Sequence, residues 1–151
     1  MKLTDIIIQL FSACIGSLGF SLIFNSEKKN LFPASMGGLL GWSVYLLCSH
    51  FNLGVFISSI GAAVFCQIYA EVMARIQKSP TTVFIIPAII PLVPGSGLYY
   101  TMYYASLSDW VNFRKYGTDT LLTAFGIAVG VSFVSAVLLL IPKKKKVDNH
   151  K

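Results

Sequence analysis

The chain has 151 residues, of which 55% are hydrophobic and only 12% are charged, and its formal net charge is +6. A typical soluble domain carries roughly 25% charged residues, so this composition excludes a soluble globule, a disordered chain and a nucleic-acid-binding domain. The remaining class is an integral membrane protein. We expect one all-α membrane domain of about five transmembrane helices, because open sheets cannot span lipid.

Five runs without charge are long enough to cross a bilayer, whose core takes about 20 residues of apolar helix. The first run could be read as a signal peptide, but its flank is weakly basic, and we expect it to be retained as a span. The predicted spans cover residues 6–24, 31–49, 51–70, 81–107 and 120–141. Residues 142–151 then form a basic tail.

The basic residues predict the orientation of these spans. One side of a five-span chain would hold nine basic residues and the other side three: Lys2, Arg114 and Lys115. The positive-inside rule then places the N-terminus outside and the C-terminus in the cytoplasm of a bacterial plasma membrane. The lysine run 143–146 is an anchor at the cytoplasmic face or, alternatively, a binding segment for acidic partners or anionic lipid.

The fourth run differs from the others because four of the six prolines fall within residues 80–94. A proline inside a helix removes one backbone donor and clashes with the carbonyl four residues earlier. The segment Pro91-Leu92-Val93-Pro94-Gly95 therefore predicts a broken helix near the middle of the span. Unpaired backbone groups at that depth must face protein or a wet cavity.

Transporters use broken helices of this kind to bind small polar solutes, and the N-terminal end of the second half-helix attracts a carboxylate. The alternative is a structural kink that neighbouring helices fill. In the first reading the residues that would bind the solute are Pro91, Pro94, Gly95, Ser96, Gly97, Tyr99 and Tyr100.

Glu71 closes the third span on a row of polar and small residues that also holds Gln67 and Arg75. Spacing by four residues places such groups on one helix face. Glu71 either pairs with Arg75 at the interface or faces the bundle interior, where it would couple transport to protons.

Two G-x-x-x-G pairs, Gly37/Gly41 and Gly126/Gly130, predict close helix packing, either within the chain or with a partner. No nucleotide, nucleophile or zinc motif is present, and the two histidines, His50 and His150, do not make a metal site. We therefore expect no enzyme, metal or cofactor.

The run Pro87-x-x-x-Pro91-Leu92-Val93-Pro94-Gly95-x-x-x-Tyr99 resembles the threonine/serine exporter family, and the whole chain is most similar to that family's small subunit. The resemblance extends to other positions: Glu71, Arg75, Lys78-Ser79-Pro80 and Gly41-Trp42. It implies proton-driven export of threonine and serine or, in some members, of dicarboxylates such as succinate. It also implies a separately encoded larger membrane subunit as partner.

These observations predict a subunit of a secondary exporter of small polar metabolites. Two other classes stay open: a membrane scaffold or assembly protein whose broken helix is only structural, and a small intramembrane enzyme.

Overall fold

The computed structural model describes residues 3–140, all of whose regular elements are helices. α1 covers Leu3–Ile23, α2 Lys28–His50, α3 Gly54–Gln77, α4 Thr82–Ile89, α5 Gly95–Ser106 and α6 Trp110–Leu140, and a 3-10 turn, Ile90–Leu92, follows α4. α2 packs against α1, α3 and α4, while α6 packs against α3 and α5. The all-α prediction is confirmed.

Tight turns join the helices because single residues adopt the left-handed conformation at the connections. Asn25, Asn52, Lys78 and Ser108 all have positive φ between 51° and 56°. At Lys78 this conformation ends α3, and the N–H groups of Lys78 and Ser79 both bond to the carbonyl of Ala74. The connections are consequently short, and consecutive long helices run back along one another.

Both glycine faces are used inside the chain. An added Cβ at Gly130 would lie 2.8 Å from the Cβ of Ala63, and one at Gly126 would lie 2.9 Å from the carbonyl oxygen of Phe56, so α6 approaches the backbone of α3. An added Cβ at Gly41 would clash with the sulfur of Cys66, so α2 also approaches α3 closely. The sequence left open whether these faces bind a partner, and the structure assigns them to internal packing.

Within residues 3–140, four helices are long and apolar enough to cross a membrane. The residues Thr82–Leu92 and Gly95–Ser106 make a fifth candidate, bent by 46°. The helices overlap the five predicted ranges, but α6 begins at Trp110, ten residues before the predicted fifth span. The predicted tail, residues 142–151, lies outside the described residues.

Candidate functional site

The predicted break in the fourth span is present. α4 ends at Ile89, the 3-10 turn follows, and Val93 is extended, with φ −61° and ψ 125°, before α5 begins at Gly95. The extended backbone at Val93 follows from Pro94, because a residue before proline avoids the helical region. The helix therefore stops for a local covalent reason.

Neighbouring helices satisfy two of the carbonyls on the N-terminal side of the break. Pro91 has no N–H to offer the carbonyl of Pro87, and the hydroxyl of Ser17 donates to that oxygen at 2.8 Å. The thiol of Cys66 lies 3.6 Å from the carbonyl oxygen of Ala88 as a weak donor. On this side of the break, neighbouring side chains satisfy the freed carbonyls, as expected for a structural kink.

The C-terminal side of the break differs, because donors rather than acceptors are left over. The N–H of Gly95 donates to the carbonyl oxygen of Val93 at 2.7 Å, and the N–H of Leu98 donates to the carbonyl oxygen of Pro94 at 3.0 Å. Among the described residues, the N–H groups of Ser96 and Gly97 have no acceptor. The first turn of α5 therefore presents free donors and the positive end of its helix dipole.

These donors border a cavity of about 260 Å³, which we call the break cavity. Its volume is slightly below the usual range for drug-sized ligands, as suits a small metabolite. The walls come from the break, α2, α3 and α6, and their polar side chains are Trp42, Tyr45, Ser96, Tyr116, Asp119, Thr120 and Thr123.

Asp119 is the one carboxylate in the lining of the break cavity. It is the tenth residue of α6, which places it about 13 Å along the helix from Trp110. The sequence analysis missed Asp119 because its charge ended the apolar run and put it in a loop. The polar spacing Tyr116, Asp119, Thr120 and Thr123, which follows one helix face, was the signal that could have revealed it.

α2 supplies the aromatic wall of the cavity. The rings of Trp42 and Tyr45 stack with centroids 5.0 Å apart, and the indole N–H of Trp42 donates to the side-chain oxygen of Gln9 at 3.3 Å. The hydrogen-bonded indole and the Tyr45 ring stacked on it give the cavity a partly apolar wall.

The predicted solute-binding residues separate into two groups. Pro91, Pro94, Ser96 and Gly97 line the break cavity. Gly95 does not, and its φ is not positive.

Tyr99 and Tyr100 also lie outside the lining and are 64% and 43% exposed. The Tyr100 ring is 5.3 Å from the ring of Tyr116, which does line the cavity. Tyr100 therefore adjoins the cavity through Tyr116, whereas Tyr99 packs against the rings of Tyr100 and Tyr103.

Glu71 is half-buried on α3, away from the break cavity, and the hydroxyl of Thr81 donates to its Oε1 at 3.2 Å. Its pairing with Arg75 is not formed. Within residues 3–140 the structure holds a single ion pair, between Lys29 and Glu27. Glu71 is therefore a carboxylate without a counter-charge beside the start of α4.

An all-helical membrane chain whose broken span borders a small polar cavity has the architecture of a multi-pass transporter. The family model described as "Threonine/Serine exporter, ThrE" matches residues 9–137, and the chain belongs to that family. It is therefore a threonine/serine exporter-type membrane transporter. No solved structure matches the chain.

Proposed function

We propose that the chain is the small subunit of an exporter that moves serine and threonine out across a bacterial plasma membrane. The observation that carries this proposal is the pairing of the α5 N-terminus and Asp119 in one cavity. A zwitterionic amino acid carries a carboxylate for the free N–H groups and an ammonium group for the aspartate. The hydroxyls of Ser96, Thr120 and Thr123 are within the same lining, where a solute hydroxyl can bond to them.

The same pairing favours an amino acid over a dicarboxylate. Succinate would place its second carboxylate near Asp119, and two like charges at close range repel one another. Export of succinate is the alternative substrate class, and it requires a protonated Asp119.

A larger membrane subunit fits the environment of α5. This helix packs chiefly against α6 and has no buried residue of its own. The residues Leu98, Tyr99, Met102 and Tyr103 are 46% or more exposed in the isolated chain. The outer face of α5 is the surface on which we place the partner subunit, next to the break cavity.

Efflux measurements test the function. Cells that lack other exporters of these solutes, loaded with isotope-labelled serine, threonine or succinate, would be compared with and without the chain and its suspected partner. We expect faster serine and threonine efflux only when both proteins are present, together with their co-purification. Co-purification without any change in efflux would favour the membrane scaffold instead.

A further inference from the structure

The break cavity has a neighbour on its α1 side. This second cavity, of about 310 Å³, lies between α1, α2 and the 3-10 turn, and we call it the α1 cavity. Its α1 wall consists of Ile8, Gln9, Ser12, Ala13 and Gly16. Of the described residues, Trp42 and Pro91 line both cavities. These two residues therefore form the partition between them.

The Pro91 side of the partition is fixed by the backbone. Pro91 belongs to the 3-10 turn, and its ring fixes its φ. An added Cβ at Gly38 of α2 would lie 3.3 Å from its Cγ, so the ring packs against α2. The next residue, Leu92, is 4% exposed and belongs to the core. This part of the partition cannot turn as a side chain does.

Trp42 forms the other side of the partition with a half-buried side chain, whose position depends on its rotamer. An indole has one hydrogen-bond donor, its N–H. That donor bonds to Gln9 at 3.3 Å, across the interface of α1 and α2. Within a membrane span, water does not readily replace a lost partner. The bond therefore favours the rotamer that keeps the ring between the two cavities.

Gln9 is outside the lining of the break cavity and reaches it only through Trp42. It is the one amide side chain in the apolar run 6–24, and its bond to the indole is the hydrogen bond that its side chain makes among the described residues. A polar side chain within a membrane span is costly, so its placement opposite the indole N–H indicates a specific role.

We propose that Gln9 is a positioning residue for solute binding. Its bond holds the Trp42 indole in the partition, where the ring is a wall of the break cavity. Without the bond the ring turns towards the α1 cavity, and the break cavity loses part of the wall against which a solute packs. The proposal rests on the proposed function only for the identity of the solute.

Fluorescence of Trp42 tests the positioning without requiring transport. The chain has two tryptophans, so Trp110→Phe leaves Trp42 as the only one and serves as the parent. In the full chain, purified and reconstituted in lipid vesicles, the decay of fluorescence anisotropy measures how freely the indole turns. Gln9→Met keeps the side-chain length and removes the amide oxygen. We expect it to add a nanosecond depolarisation that the parent lacks.

Two further variants separate the hydrogen bond from the packing of α1. Gln9→Glu keeps an acceptor oxygen and should retain the slow decay of the parent. Ser12→Ala is the matched control, since Ser12 lines the α1 cavity and makes no bond to Trp42. It should also leave the decay unchanged.

The concentration dependence of threonine efflux, in cells that also hold the suspected partner, tests the consequence for solute binding. Gln9→Met should raise the half-saturating threonine concentration by about 3- to 10-fold, the worth of one hydrogen bond, at an unchanged maximal rate. In a Trp42→Phe background the donor is absent, so Gln9→Met should then change that concentration by less than about twofold.

An anisotropy decay of Gln9→Met identical to that of the parent would overturn the proposal. An effect of Gln9→Met on efflux that is as large in the Trp42→Phe background would do the same, because Gln9 would then act by another route. A parent that exports no threonine would refute the proposed function, and the anisotropy decays would still decide whether Gln9 positions Trp42.

Discussion

Asp119 and Glu71 are two carboxylates with different surroundings, and this difference assigns them different proposed roles. Asp119 lines the break cavity with the hydroxyls of Thr120 and Thr123, where a solute can reach it. Glu71 lies outside that cavity and is bonded only by the Thr81 hydroxyl among the described residues. We assign solute binding to Asp119 and keep proton coupling with Glu71.

Asp119→Asn should lower the apparent affinity for exported threonine by about 10- to 100-fold, because hydrogen bonds to charged groups contribute about 1.5–3 kcal/mol. The measurement is the concentration dependence of threonine efflux, with membrane insertion checked on the same cells. Thr118→Ala is the matched control, since Thr118 is on the same helix and outside the break cavity. Unchanged affinity in the Asp119→Asn variant would exclude Asp119 from solute binding.

Glu71→Gln should abolish the part of efflux that depends on the proton gradient, because an amide cannot bind and release a proton. Efflux would be measured with and without an imposed pH gradient. Thr81→Val removes the hydrogen bond to Glu71 and leaves the carboxyl group, so gradient dependence should persist in it. Gradient-driven efflux at the parental rate in the Glu71→Gln variant would reject the coupling role.

At the scale of the element, the break was predictable from the sequence because its cause is covalent and local. Pro91 and Pro94 each remove a backbone donor wherever the chain is placed. The side chains that bond to the freed carbonyls were not predictable. Ser17 lies 70 residues before Pro87, and only tertiary packing brings the two together. Asp119 was missed for a related reason. A single charged residue beside an apolar run predicts the end of a span, and only the tertiary structure shows that this one lines a cavity.

The double variant Pro91→Ala, Pro94→Ala should keep its membrane insertion and lose efflux. Restored donors would let helix continue through the break, and the N–H groups of Ser96 and Gly97 would find intrahelical acceptors. Thermal stability should be at least that of the parent, because proline in a helix interior costs about 3 kcal/mol. Pro33→Ala, in α2, is the control for loss of a proline elsewhere. Loss of stability before loss of efflux would instead indicate a structural kink.

The start of α6 gives a prediction about pH. Two hydrogen bonds from Asn112, by its side chain and its N–H, hold the pKa of Asp109 below its usual value, the side-chain bond having the larger effect. The stabilisation by the carboxylate is therefore present above about pH 3.9 and is lost as the pH falls through the lower pKa of the folded state. Asp109→Asn keeps a capping side chain that does not titrate. Melting temperatures between about pH 2 and 6 should show a smaller acid-dependent drop in this variant, and equal drops would contradict the assignment.

For the whole molecule, the arrangement of the connections bears on topology. The bond between Asn30 and Ser79 joins the first turn of α2 to the α3–α4 connection at one end of the bundle. The bent pair runs over Thr82–Ser106, about 37 Å at helical rise, and its 46° bend is far from a reversal. A stretch of that length and direction crosses a hydrocarbon core of about 30 Å.

Reporter fusions in the connections should therefore alternate in sidedness along the chain. The fourth reporter belongs after Ser108, because Tyr116 lies inside α6. In the orientation that the basic residues predict, the order is inside, outside, inside, outside and inside for fusions after Lys29, Asn52, Lys78, Ser108 and Lys151. The reverse order would keep five spans and contradict only the orientation. The same side for Lys78 and Ser108 would make the broken helix re-entrant and would contradict the five-span arrangement.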